Sequence, residues 1–527
     1  MTSKPFEYTD YGSLDSITAE VCVIGSGCGG ATVAYKLAEA GIDVVVLEKG
    51  GYYPASTFDN RELNQAGKVD ADRAMTTSSN GSTILTYGEL VGGTSVHYWA
   101  DSFRTPADRL VVLWRDGYGI TGHGQDDLDA AFAEIERRHH IHDVEPMYYN
   151  RMNQLFRGAV EALGWQGAPI KHARYGCAGS GQCMQGCALN AKQSQLVTSV
   201  PSAMELGARV YADLRAEQFK FNGKRATQLT ASVIDRRRNR ADGRKIVVKA
   251  KHFVVAAGGF NTPALMLSQP GLKESLPALG KHFGMNPTTA VHGMYDEPII
   301  LWRKVPAAYG VEEFRRARYD AAGKYIEGGY LLVPDQLQPA MMGLSIPGFD
   351  AGAGEWMARL SHVGGVIGWI DDHPRELGEV RLDAKGNREI LYPYGPTTQQ
   401  MLRDLMKKAA IANFKAGAKK VMIGDLHRTT LTSADQIGTI DNVAIKPGNL
   451  LIAAPHPFGG CRMGNDPRTS VTDSTHRVHG FENLFVADPS VFPTGPSVDP
   501  SVTIMAFSYI AAGHVAAALG KTLARPS

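Results

Sequence analysis

The sequence predicts an α/β protein: a parallel sheet with helices, joined to an α+β region built on an antiparallel sheet. Three observations carry that expectation. A strand–turn–helix–strand pattern occupies residues 19–48, with glycines clustered at the turn. Two further apolar runs, His252–Ala257 and Asn483–Ala487, are continuous rather than alternating, as strands of a sheet covered on both faces are. The stretch between them, residues 285–447, instead carries alternating and irregular patterns.

In chain order, Ala19–Ile24 reads as a strand and Ala31–Ala40 as a helix stopped at Gly41. Asp43–Leu47 is a second strand, ending in Glu48. The late runs most simply join this first sheet. The expected nucleotide-binding part is therefore discontinuous, residues 15–284 with 448–527, and includes a cysteine-rich loop at 175–190. Residues 285–447 form the substrate-facing part, with strand patterns at 328–334 and 378–382 and a helical pattern from Thr397 to Ala416, ended by Gly417. Arg225–Arg244 is basic and polar, a solvated loop or hairpin excursion.

At 527 residues, two domains is the natural expectation. Hydrophobic residues at 43% and charged residues at 20% describe an ordinary globular chain, while 58 glycines exceed the usual share of roughly 7%. A formal charge of +2 offers no electrostatic footprint for nucleic acid, which we exclude as a partner. No run of about 18 apolar residues is visible, so no transmembrane segment is expected. Residues 1–15 are polar and acidic, without a secretory signal or twin arginine, which implies a cytoplasmic protein or one exported with a partner subunit.

Gly25-x-Gly27-x-x-Gly30 stands where a strand turns into a helix. The first glycine permits the turn, the second lets backbone approach a pyrophosphate, and the third lets helix and strand pack closely. The helix N-terminus adds free amides and partial positive charge. Glu48, eighteen positions after Gly30, is placed to accept hydrogen bonds from a ribose diol and would repel a 2′-phosphate. The pattern describes a Rossmann-like dinucleotide site and leaves FAD or NAD open.

Val91-Gly-Gly-Thr-Ser-Val-His97, Val254–Leu267 with Asn261-Thr-Pro263, His456-Pro-Phe-Gly-Gly-Cys-Arg-Met-Gly464, Asn483–Asp488 and Pro493–Thr503 follow in order over roughly residues 20–515. This series resembles the glucose–methanol–choline (GMC) oxidoreductases. The resemblance implies FAD as cofactor, held by Gly25, Gly27, Gly30, Glu48, Gly92, Gly93, Thr94, His97, Ala257, Asp488 and Pro500. It implies an FAD-dependent alcohol or sugar dehydrogenase or oxidase. Such an enzyme oxidises a CH–OH group of a sugar, polyol or bulky alcohol by hydride transfer to flavin N5, with His456 as base. The electron acceptor would be O2, a quinone or a cytochrome or small subunit; a flavin-retaining lyase or decarboxylase is the alternative on the same fold. An imidazole titrating near neutrality suits the loss of a hydroxyl proton.

Two positions need separate treatment. Where the family usually has His or Asn before Pro-x-x-Thr, this chain has Asp499. A carboxylate there could orient His456, raise its pKa, accept the substrate proton, or take a hydrogen bond from flavin or backbone. It would oppose an anionic reduced flavin unless protonated. His97 occupies a position that some members link covalently to the flavin 8α-methyl; covalent attachment and simple packing are both open.

Cys177, Cys183 and Cys187 fall within eleven residues of a glycine-rich stretch. The loop is similar to that of bacterial FAD-dependent sugar dehydrogenases, where an iron–sulfur cluster relays electrons to a cytochrome, and to that of long-chain alcohol oxidases, where no cluster is known. The three could hold iron–sulfur, remain structural thiols, form a disulfide, or bind zinc with His172. Cys22, Cys28 and Cys461 lie inside cofactor motifs and are expected to be packing residues.

Overall fold

The computed structural model describes residues 4–59 and 61–523. Its first sheet is built on the strand Ser16–Ile24, whose burial alternates over its first half and becomes continuous at Val21–Ile24. The strand Arg240–Val255 repeats this change, alternating early and fully buried over its last four residues. Both therefore leave a half-solvated edge and enter a region covered on both faces, where an unbroken apolar run is required.

Ser16–Ile24 pairs in parallel with Val44–Leu47 on one side and with the second half of Arg240–Val255 on the other. Val44–Leu47 in turn pairs with Arg209–Tyr211. The late strand Leu484–Val486 joins this sheet, Val254 lying opposite Phe485. The basic stretch at 225–244 is the hairpin of the two alternatives: Arg225–Asp235 runs antiparallel to the first half of Arg240–Val255 and to Leu214–Asn222. Its inward residues, among them Leu229 and Val233, are fully buried.

Helices Cys28–Glu39 and Ser501–Ala518 share one face of the sheet. Val33, Leu37, Ala512 and Val515 pack with Val21, Val23 and Val254 in one apolar cluster. Ser501–Ala518 corrects one sequence expectation, since it has 18 residues with a mean hydropathy of 1.4, long and apolar enough to cross a bilayer. Two thirds of it is buried inside the protein (67%), the behaviour of a core helix. Trp114 stacks on Phe492, and Phe507 of this helix meets both rings edge-on.

The second sheet is antiparallel along its main path, in the order 430–431, 420–423, 288–294, 363–370, 330–334, 309–311, 167–169. It draws Gly167–Pro169, Ile84–Leu85 and Ala453–Ala454 from outside residues 285–447. Helix Pro396–Lys415 backs it through Leu402, Leu405, Met406 and Ala409, all buried. Proline at its first position fits the helix start. The Glu376 carboxylate accepts from the N–H groups of Thr397 (2.9 Å) and Thr398 (2.8 Å), placing negative charge on the helix N-terminus.

Where the segments after the parallel strands turn over, backbone approaches backbone. A Cβ on Gly29 would stand 1.9 Å from the Ala487 carbonyl oxygen, and one on Gly30 would stand 2.0 Å from that of Gly25. Neither oxygen can yield without moving a strand end. Gly29 lies outside the three-glycine motif, yet we expect Gly29→Ala to cost on the order of 1–3 kcal/mol, as much as Gly30→Ala. Denaturant unfolding of both variants checks this, and an unchanged midpoint for Gly29→Ala would refute the packing argument.

Candidate functional site

A cavity of about 920 Å³ opens at the carboxyl ends of Ser16–Ile24 and Val44–Leu47, the usual place for a ligand of an open α/β sheet. Gly25 makes the turn at φ +104, a conformation a side chain resists, and a Cβ there would lie 2.2 Å from the Ala256 oxygen. Gly27 differs. Its φ of −71 suits any residue, but its Cβ direction points into open space bounded by the Gly93 Cα at 3.8 Å. No side chain caps the helix that follows, so its first turn presents backbone N–H groups at the cavity.

Glu48 lies at the same end, buried. One carboxylate oxygen accepts from Ser26 N–H (3.0 Å) and Oγ–H (2.7 Å), the other from Gly50 N–H (2.8 Å). Burial pushes its carboxyl upward, and these three donors oppose the shift. Gly92 N–H donates to Ser26 Oγ (3.0 Å), which lays the 92–97 segment against the glycine turn. Gly93, Thr94 and His97 line the cavity, while Gly30 and Gly92 stand behind its wall. Thr94 Oγ1 accepts from Gly88 N–H (3.2 Å).

His97 is buried, with its Nδ1 in contact with Asp70 Oδ1. The two atoms are buried and neither has another partner. Asp488 and Ala257 line the opposite wall. Asp488 ties together the two segments that carry it, accepting from Gly258 N–H and Ser490 N–H at 2.9 Å each and from the Thr262 hydroxyl. Ala257 N–H donates to Thr262 Oγ1 (2.9 Å), and Pro500 sits at the N-cap of Ser501–Ala518.

His456 and Asp499 meet at the far end, with His456 Nε2 3.2 Å from Asp499 Oδ1. The N–H direction is poor: neither oxygen of Asp499 receives a hydrogen bond from a protein donor, and His456 Nδ1 has no partner. Asp499 is 4% exposed and stands within hydrogen-bonding reach of Asp101, itself 5% exposed. Burial first, then the Asp101 charge, pushes the Asp499 carboxyl well above its usual range. Burial alone lowers His456 to about 3. Burial thus disfavours the charged form of each group, and for His456 it works against any rise that the Asp499 carboxyl would bring.

Several residues at this end escaped sequence reading. Asp101 and Asp70 sit outside any recognisable spacing, and only the fold brings them to Asp499 and His97. The middle of the chain carries the aromatic residues Trp302, Tyr309, Tyr330, Trp356 and Trp369, and of these Trp369 lines the cavity. Its ring lies 5.6 Å from that of His456 and 5.9 Å from that of Trp99.

The cysteine loop does not assemble as a metal centre. Among the described residues no three His, Cys, Asp or Glu side chains converge as a metal site requires. The Arg174 guanidinium fills the place of a bridging cation, with Nη1 3.6 Å from Cys177 Sγ and 3.4 Å from Cys183 Sγ. The structure does not bring Cys177, Cys183 and Cys187, or these with His172, together as a ligand set. His172 is committed elsewhere, between Arg174 Nε–H (2.8 Å) and the Ala307 oxygen (3.1 Å). No disulfide is present, and Cys22 and Cys461 are fully buried packing residues.

This architecture is that of a flavin-type oxidoreductase with a dinucleotide cradle facing an acid–imidazole pair. Residues 18–288 match the N-terminal family model of the GMC oxidoreductases and residues 374–508 the C-terminal one. The chain belongs to the GMC oxidoreductase family. It is 31% identical to an uncharacterised GMC-type oxidoreductase of Mycobacterium tuberculosis over 95% of this chain and 76% of that one. It is 26% identical to a long-chain-alcohol oxidase of Arabidopsis thaliana over 94% of this chain and 66% of that one. The fold matches the crystal structure of pyridoxine 4-oxidase from Mesorbium loti with a TM-score of 0.69 at 16% identity, covering 94% and 98% of the two chains.

FAD is the family's cofactor, and the residues present fit it. The slot beside Gly27 and the uncapped helix turn suit a diphosphate, and Glu48 retains acceptor capacity for a ribose.

Two outcomes follow. Gly27→Ala leaves folding stability within about 0.5 kcal/mol but lowers the flavin content of the purified protein several-fold, because its Cβ projects into the slot; full flavin content would refute the assignment. Asp499→Asn tests the raised carboxyl. Between the unfolded and folded pKa values the unfolded state has released a proton that the folded state keeps, so Asp499 lowers stability as pH rises above about 4. The variant should gain on the order of 2–4 °C in Tm at pH 8 and nothing at pH 4. An equal gain at both would sink the assignment.

Proposed function

We propose that the chain oxidises the CH–OH group of an alcohol with an apolar body, with FAD in the cradle and His456 as the group that accepts the hydroxyl proton. The supporting observation is that two residues lining the cavity beside Asp499 carry buried ring nitrogens without a protein hydrogen-bond partner, His456 Nδ1 and Trp99 Nε1. Around them the cavity is closed by Trp369, Ile367, Leu337 and Met341. One polar head and an apolar remainder satisfy this arrangement better than a sugar, whose many hydroxyls would lose water without finding partners. The relative named as a long-chain-alcohol oxidase supports the same substrate class.

Bound FAD would supply the two-electron acceptor for the carbon-bound hydrogen. The protein's part is to orient the alcohol and take its proton. His456 is neutral because burial disfavours the imidazolium, so its lone pair is available at any ordinary pH. Asp499 stands beside it, its carboxyl raised by burial and by Asp101, which favours the protonated, hydrogen-bond-donating form. Trp99 and Trp369 exclude water and hold the apolar chain.

Anaerobic mixing with primary alcohols of increasing length, followed by the flavin's visible band, tests the reading. Bleaching should strengthen with chain length. His456→Ala should retain flavin and slow bleaching by about 10²–10⁴-fold. Bleaching by no alcohol would reject alcohol oxidation and leave the flavin-retaining lyase. Reoxidation in air with peroxide formed would assign dioxygen as acceptor.

A further inference from the structure

Arg174 has no role in the reaction above, and its surroundings are unusual for a buried cation. It is 5% exposed. Its partners are a neutral imidazole at His172, the Trp99 oxygen (2.9 Å) and two sulfurs; none is a carboxylate. Burial works against the guanidinium charge, and Cys183 and Cys177 more than restore it. Lys192, 2% exposed, lies close by and spends its ammonium on the oxygens of Val96 (2.6 Å), Tyr98 (2.9 Å) and Cys183. Two cations are thus sunk beside the two sulfurs, and among the described residues neither is ion-paired to a carboxylate.

The two sulfurs differ in access. Cys177 is half-buried and lines a second cavity of about 460 Å³ with Arg174, Tyr175 and His140. Its Sγ accepts from Arg174 Nη1–H and from the Gly179 N–H (3.3 Å). Cys183 is buried behind it on the same guanidinium nitrogen, so the sulfurs are no more than two such contacts apart. Five residues separate them, two of them glycines. Cys187 receives no hydrogen bond from Arg174.

We propose that Cys177 and Cys183 form a peroxide-reactive dithiol that closes to a disulfide. The Cys177 sulfur, as thiolate, attacks one oxygen of a hydroperoxide. The S–O bond forms, the O–O bond breaks, the peroxide is reduced by the sulfur's electron pair, and the second oxygen departs as hydroxide, or as alkoxide from an organic hydroperoxide, to be protonated to water or alcohol. Cys183 then attacks the resulting sulfenic acid. The S–S bond forms, the S–O bond breaks, and the hydroxyl departs as water with the Cys183 proton. Arg174 stabilises the attacking sulfur and the departing oxygen, and the second cavity admits the oxidant without passage through the flavin cavity. The site needs only a hydroperoxide as co-reactant and does not depend on the alcohol assignment.

The test uses reduced holoenzyme treated with one to five equivalents of hydrogen peroxide, then alkylated and mapped without reduction. Loss of two thiols, a Cys177–Cys183 cross-link and recovery with dithiothreitol are expected, at a rate at least tenfold above that of free glutathione. In Cys183→Ser, Cys177 should be trapped by dimedone as a sulfenic acid, while Cys177→Ser should lose no thiol. Cys177 reacting no faster than glutathione, a cross-link through Cys187, or iron and acid-labile sulfide co-purifying with the chain would each overturn the proposal.

Discussion

The structure depends on backbone reaching backbone at one point. The turn after the first strand, the 92–97 segment, the turn after Val255 and the segment after Val486 converge there, and a methyl group on Gly25, Gly29 or Gly30 would collide with a carbonyl oxygen in each case. Strand ends held this closely fix the helix start at Cys28 and place its amides against the cavity. They also deliver Asp488, which staples two of these segments with hydrogen bonds across 226 and 230 residues of sequence. Everything at the cofactor end follows from that packing.

The chemical end obeys a different constraint, the cost of burying charge. Asp499, Asp101 and His456 stand in a space too dry to hold several ionised groups. Burial answers the conflict by raising the Asp499 carboxyl and lowering the His456 imidazole, so the charged form of each is disfavoured there.

What was legible in the sequence was local. The glycine turn, Glu48, the parallel strands and the helix 396–415 each announce themselves within a few residues, through turn chemistry and periodicity. Motif order carried His456, Asp488 and His97 into place. Asp70 and Asp101 were illegible because nothing nearby marks them; their partners are set by tertiary approach. The cysteines misled for the complementary reason. Closeness in sequence suggested a shared metal, but Arg174, coming off the adjacent short strand, enters between two of the sulfurs. Ser501–Ala518 was misjudged too, since its small residues dilute its apolar character when counted one by one.

The connectivity of the first sheet bears on how the protein is made. Val254 must pair with Phe485, and the cradle is incomplete until the segment bearing Asp488 arrives. A growing chain would carry an open sheet edge through the synthesis of the whole second sheet, exposing unpaired strand groups that attract foreign strands. Closure of so distant a pairing is slow. Cofactor capture is therefore tied to one of the last steps of folding, and the flavin marks chains that have completed it.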